Sequence, residues 1–197
     1  ALSGAELAAC VPEIEGLCAL AVVQPMNIDS TNMRPAAWLR IRDVVMDGYD
    51  AYDGFLILHG TDTMAYTAAA LSYLIQASPK PIVLTGSQRP MMSPFTDAKL
   101  NLYQSLLWAV DDAARDVAIV FGGLVIAGTE ADLAVGRLEA EIGERLGDLL
   151  RIGAAGLLHG RFVGIHRGIG AFGVIARRRL VALHVGLDES PVDGVVV

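Results

Sequence analysis

Residues 54–64 read Gly54-Phe55-Leu56-Ile57-Leu58-His59-Gly60-Thr61-Asp62-Thr63-Met64, and the small, apolar stretch from Ala65 to Gln76 follows directly. A short unbroken apolar run is what a strand buried on both faces requires, and a helical stretch behind it makes a β-α unit of a parallel sheet. The hand-over between the two carries a hydroxyl, a carboxylate and a second hydroxyl. In open α/β sheets ligands bind outside the carboxyl ends of the strands, so Thr61 and Asp62 stand where chemistry is expected. The plainer alternative is that one of them only caps the helix through its side-chain oxygen.

On either side of this unit, Leu17 to Val23, Pro81 to Thr85 and Val117 to Phe121 read as further strands. Pro35, favourable in a first turn, opens a helix that Gly48 ends, and Asp97 starts another through Leu100, Tyr103, Leu107 and Val110. Ser3 with Glu6 forms a capping box for a short helix through about Val11. The alternation predicts an α/β fold, doubly wound, with a mostly parallel sheet flanked by helices. After Phe121 the composition breaks. Residues 122–197 hold 15 of the 21 glycines and 8 of the 13 arginines, with no Lys, Asn, Tyr or Trp. The reading is therefore an α/β domain over 1–121 and a diverged or non-homologous tail over 122–197, of the kind a shifted reading frame in GC-rich coding sequence would give. Within the tail, Ala131 to Leu150 reads as a charged helix and Gly153 to Gly186 as short strands and turns. Arg177-Arg178-Arg179 reads as a solvated turn.

Composition excludes several function classes. The chain has 197 residues, enough for one substantial domain, and it is 53% hydrophobic. Its mean hydropathy is +0.47, yet no apolar run approaches the ~18 residues of a membrane span. A net charge of -7 argues against a nucleic-acid partner, since phosphate binding needs a basic patch. Cys10 and Cys18 have no neighbouring histidine, and His159, His166 and His184 are scattered, so no metal site is expected. Both cysteines suit a reducing compartment, and without a signal-peptide pattern the cytoplasm is the expected location.

Three loops follow the predicted strands: Asn27 to Met33, His59 to Met64, and Thr85 to Pro90. Neighbouring parallel strands would open all three at one end of the sheet. Their hydroxyls and carboxylates suit a small zwitterion. Asp62 can hold an ammonium group, and Ser30 with backbone amides can hold a carboxylate.

The blocks Asp53-Gly54-Phe55, Leu58-His59-Gly60-Thr61-Asp62-Thr63-Met64-Ala65-Tyr66-Thr67-Ala68, Thr85-Gly86-Ser87-Gln88-Arg89-Pro90 and Asn101-Leu102 resemble the bacterial L-asparaginases, most closely the cytoplasmic type I enzymes. The resemblance includes Asp29-Ser30-Thr31-Asn32-Met33 with Trp38 and covers about residues 1–121. It implies hydrolysis of asparagine, with some glutamine turnover, to aspartate and ammonia by a threonine nucleophile. No metal or organic cofactor is implied, and the assembly is a homo-oligomer. Carried over by position, Thr61 and Asp62 are catalytic, and Asp62 also binds the substrate α-amino group. Ser30, with Thr31, holds the α-carboxylate, and Ser87 offers backbone contacts near the side-chain amide. His59 belongs to the motif, its ring expected to steady the loop, and Trp38 and Trp108 are expected to pack.

Departures from the family are specific. The Thr-Gly-Gly-Thr segment of its first strand, bearing the primary nucleophile, and the accompanying tyrosine are expected to be missing, as is the C-terminal domain. The family lysine would fall near Leu133, whereas the only lysines are Lys80 and Lys99. Asp97 matches a family aspartate, while Ala98 replaces a glycine. Loss of a central strand would leave unpaired backbone inside the sheet and exposed apolar surface. Two other readings stand beside the hydrolase: a catalytically inactive amino-acid-binding remnant, and the asparaginase-like subunit of a tRNA-dependent amidotransferase.

Overall fold

The computed structural model of the chain describes residue 9 and residues 11–14, 16–130 and 178–185. In chain order its strands are β1 (Cys18–Val23), β2 (Gly54–Leu58), β3 (Pro81–Thr85), β4 (Asp116–Phe121), β5 (Leu124–Ala127) and β6 (Arg178–His184). Among the described residues its α-helices are α1 (Pro35–Asp47), α2 (Met64–Leu74) and α3 (Ala98–Ala109). One six-stranded sheet runs in the order β1-β6-β2-β3-β4-β5. All pairings are parallel except β4 with β5.

The apolar runs at β2 and β3 are strands with the predicted bounds, because parallel strands covered on both faces tolerate no alternation of polar residues. On one face Phe55, Ile57, Ile82 and Leu84 pack with residues of α1 and α2. On the other, Leu56, Val83 and Val120 pack with Leu102 and Leu106 of α3. Each such side chain contributes about 1.5–3 kcal/mol by leaving water. The chain is thus an α/β, doubly wound layer structure. Pro35 opens α1 with its fixed φ, and Gly48 follows its last residue, as the sequence indicates.

β6 was not legible as an element of the sheet, and it inserts between β1 and β2, so no unpaired gap is left there. Its register pairs Cys18 to Val23 with Arg178 to Leu183 on one side, and Gly54 to Leu58 with Leu180 to His184 on the other. Leu180 and Ala182 join the α3 face, whereas Val181 and Leu183 join the opposite core. The backbone at the centre of the sheet is therefore paired. Arg178 and Arg179 open this strand and are not on a solvated turn. The Arg179 N–H donates to Asp53 Oδ2 at 2.7 Å, and the Asp53 N–H donates to Arg179 O at 2.7 Å. These bonds fix where β6 enters. Gly54 belongs to the same junction, since a Cβ there would lie 2.9 Å from Pro81 Cγ and 3.0 Å from Leu180 Cδ2.

β5 is a second difference. Gly122 and Gly123, with φ of 57° and 84°, turn the chain back into an antiparallel edge strand, the conformation that a tight hairpin demands. The N-terminal capping-box helix, the Ala131 to Leu150 helix, Cys10, His159 and His166 lie outside the described residues. Cys18 is a free cysteine whose thiol pKa is pushed up by burial, which makes it a poor nucleophile.

Candidate functional site

The loops after β1, β2 and β3 gather at one end of the sheet. β1 and β2 are separated by β6, yet the turns that follow them touch across its carboxyl end. The chain after β1 forms a 3-10 turn at Ser30–Asn32, and the chain after β2 forms one at Thr61–Thr63. Ser30 Oγ donates to Asp62 Oδ2 at 2.8 Å, and Thr63 Oγ1 donates to Ser30 O at 2.7 Å. The close approach explains Gly60, where a Cβ would lie 2.4 Å from Ser30 Oγ. Ser30 is buried and Asp62 is exposed.

This geometry sets aside the capping alternative. The residue preceding α2 is Thr63, without a side-chain capping bond, and the Asp62 carboxylate is used across the loops instead. Helix capping does not account for Asp62.

Thr61 lies at the border with the third loop. A Cβ on Gly86 would lie 3.6 Å from Thr61 Cγ2 and 2.2 Å from the backbone oxygen of His59. Only glycine lets the β3 loop pass so close to the β2 loop. Ser87, next in the chain, is half-buried there. The loop is tied from below by Asp97, whose carboxylate accepts from Gln88 N at 3.0 Å and Arg89 N at 3.2 Å. Asn101 Nδ2 donates to Gly86 O at 3.0 Å and to Asp97 Oδ2 at 3.0 Å. Asp97 was expected to start a helix and to match a family aspartate; it precedes α3 but makes no capping bond. Its reach back to the loop depends on a contact across the fold that no local spacing displays.

Thr31 stands apart from the cluster. Its hydroxyl donates to Asp29 Oδ1 at 2.7 Å and its backbone N–H donates to the same oxygen at 2.9 Å. These bonds hold the Asp29 carboxyl below the usual carboxylate range, the hydroxyl having the larger effect. The structure thus brings Ser30 and Asp62 into contact and sets Thr61 beside the Gly86–Ser87 loop. It turns Thr31 toward its own strand's loop.

His59 is 4% exposed and points under the loop. Burial lowers its pKa, with the Gly60 carbonyl and Asp62 acting in the opposite direction. Trp38, expected to serve packing alone, also donates its indole N–H to Thr67 Oγ1 at 3.0 Å. Lys99 is exposed, and Lys80 is committed to the carbonyls of Tyr49 and Tyr52 at the opposite end of the sheet. Among the described residues no group of three or more His, Cys, Asp or Glu could hold a metal ion. None of their helices is long and apolar enough to cross a membrane. A cleft of ≈ 250 Å³ bordered by Ser72, Gln76, Asp116 and Thr129 shares no residue with the three loops.

Comparison with known proteins adds a lineage to this geometry. A family model described as "Asparaginase, N-terminal" matches residues 1–134. The chain is 40% identical over 107 residues to L-asparaginase 1 of Escherichia coli K12, a match covering 54% of this chain and 32% of that protein. It is equally 40% identical over 124 residues to a glutamyl-tRNA(Gln) amidotransferase subunit of Metallosphaera sedula, covering 62% of this chain and 28% of that one. Among solved structures, a probable cytoplasmic L-asparaginase from Campylobacter jejuni superposes with a TM-score of 0.59 at 32% identity, covering 64% of this chain and 41% of that one. The chain spans about a third of the length of these curated relatives.

Proposed function

Because the chain belongs to the asparaginase family, we propose that the three loops bind L-asparagine, with L-glutamine as a poorer alternative, and release ammonia from the side-chain amide. The observation that carries this reading is the Ser30 Oγ to Asp62 Oδ2 bond of 2.8 Å, which joins a hydroxyl donor and an exposed carboxylate from two separate loops. The Ser30 hydroxyl has one proton, and it is directed at Asp62. A bound α-amino acid exchanges partners: its ammonium group donates to Asp62, and the freed hydroxyl donates to its α-carboxylate. One end of the ligand thereby fixes both charges, and Thr31 would join the carboxylate side only by releasing its bonds to Asp29. The side-chain amide is left toward Thr61 and the Ser87 backbone.

Thr61 supplies the nucleophile. A carboxamide is a weak electrophile, so the hydroxyl must lose its proton as the C–O bond forms, and the oxyanion must meet fixed donors. Collapse expels the nitrogen, which leaves as ammonia after taking a proton, and water then releases aspartate from the ester. Exposed Met92 and Phe95, 85% and 82% accessible on the loop after Ser87, offer apolar surface for self-association into a homo-oligomer. The direct test is ammonia release from L-asparagine by the chain and by Asp62→Asn. Release that the variant loses supports the reading, and a folded chain that releases none overturns the catalytic part.

The similarity to an amidotransferase subunit favours a second reading, in which ammonia passes to a partner. Release from asparagine in the absence of any partner argues for the hydrolase.

A further inference from the structure

Three elements converge on the underside of the Thr61–Asp62 loop through hydrogen bonds whose directions are all determined. Trp38 on α1 has an indole N–H, which only donates, and it lies 3.0 Å from Thr67 Oγ1. Gly60 O only accepts, and it lies 2.6 Å from His59 Nδ1. The Nδ1 atom must therefore carry the proton. In a neutral ring Nε2 is then an acceptor, and the Thr67 hydroxyl, 2.9 Å away on α2, donates to it. Thr67 Oγ1 in turn accepts from Trp38. No alternative arrangement of protons on a neutral ring satisfies all three contacts. Burial, the largest influence on the ring, holds it neutral. Thr67 is 0% exposed and His59 is 4% exposed, so neither can exchange these partners for water.

We propose that His59 is a positioning residue, held as the Nδ1–H tautomer by the Trp38–Thr67 pair, and that its bond to the Gly60 carbonyl aims Thr61 and Asp62 at the amino acid. The carbonyl it grips belongs to the residue immediately before Thr61. Gly60 itself has no side chain to fix its peptide, and a side chain is forbidden by the 2.4 Å approach to Ser30 Oγ. Orientation is thus supplied from below, by a ring that does not touch the ligand. This inference rests on the proposed amino-acid site for its binding readout, but not for its tautomer readout.

Two substitutions separate the ring's two ends. In His59→Asn the side-chain amide nitrogen takes the place of Nδ1 and keeps the donor to Gly60 O. In His59→Gln the amide reaches the Nε2 position and keeps contact with Thr67, but the donor to Gly60 is lost. The experiment has two parts. Nitrogen NMR of the histidine rings in the full chain is expected to show His59 protonated on Nδ1 and bare on Nε2, and the Nε2–H tautomer or an imidazolium at neutral pH overturns the proposal. L-Aspartate titrated into each variant is expected to bind His59→Asn within about threefold of wild type and His59→Gln at least about tenfold more weakly. Equal losses in both variants overturn the aiming role, because they mark a ring that serves packing alone. Wild-type chain that binds no aspartate while showing the Nδ1–H tautomer contradicts the proposed substrate and the aiming of Thr61 and Asp62 at it, and leaves the hydrogen-bond assignment standing.

Discussion

The two ends of the sheet are built from similar side chains and use them differently. At the amino end, Lys80 Nζ donates to Tyr49 O and to Tyr52 O, the latter at 2.9 Å, and lies 4.7 Å from the centre of the Tyr49 ring. Ser78 Oγ donates to Lys80 O at 2.7 Å and sits 2.6 Å from the Tyr49 hydroxyl. The charge is spent on backbone that the turn after α1 would otherwise leave without partners. At the carboxyl end, hydroxyls and carboxylates bind one another across loops, and Asp62 stays exposed. The first arrangement joins elements, whereas the second keeps a charge where a ligand can reach it. A half-buried cation with backbone partners is a structural device, and on the proposed function an exposed carboxylate aligned by a buried hydroxyl is a recognition device.

Substitutions that treat the two ends differently test this contrast. The largest effect is expected from Gly86→Ala, since its Cβ would lie 2.2 Å from the backbone oxygen of His59. About 3 kcal/mol of stability should be lost, together with amino-acid binding, as measured by denaturant unfolding and calorimetric titration. Retention of both would show that the loops approach less closely than described. Lys80→Met should cost about 2 kcal/mol, from two bonds to a charged donor, yet leave aspartate affinity unchanged. A parallel fall in affinity would mean that the two ends are coupled.

The smallest effect is a pH dependence. The buried His59 has a folded pKa below its unfolded value of about 6.5, so the unfolded chain takes up the proton first as pH falls. Stability is complete above about pH 6.5 and is lost as pH falls through the folded pKa, by at most about 1.4 kcal/mol per pH unit. His59→Asn should remove that component when unfolding is followed between pH 7 and the acid limb. An unchanged slope would show that folding does not lower the pKa of His59. Asp29 does not obscure this window, because its lowered pKa acts only at more acidic pH.

How far the sequence reveals this molecule depends on how local each cause is. β2 and β3 are legible to the residue because a buried parallel strand needs a continuous apolar run, and Gly54 and Pro81 mark where those runs begin. The β4–β5 hairpin had a local signal in Gly122-Gly123 that a search for two-residue turns would have found. β6 had none. Its apolar residues lie among glycines and arginines, and nothing in their spacing says that they insert between β1 and β2. The site divides in the same way. Thr61, Asp62 and Ser30 stand out as polar residues directly after strands, but the Ser30–Asp62 contact spans 32 residues of chain. The roles of Asp97, Thr67 and Trp38 likewise arise from contacts between elements, so residue type alone suggested a helix start and packing.

That the Ser30–Asp62 pair marks a site for an α-amino acid is tested most directly by adding L-aspartate to nitrogen-labelled chain and following the backbone amide shifts. Perturbations are expected at residues 30–33, 60–64 and 86–88, with the amides of Ser78 and Lys80 unmoved. Saturating shifts around Ser78 and Lys80, or none at the three loops of a folded chain, would contradict a recognition site at the carboxyl end of the sheet.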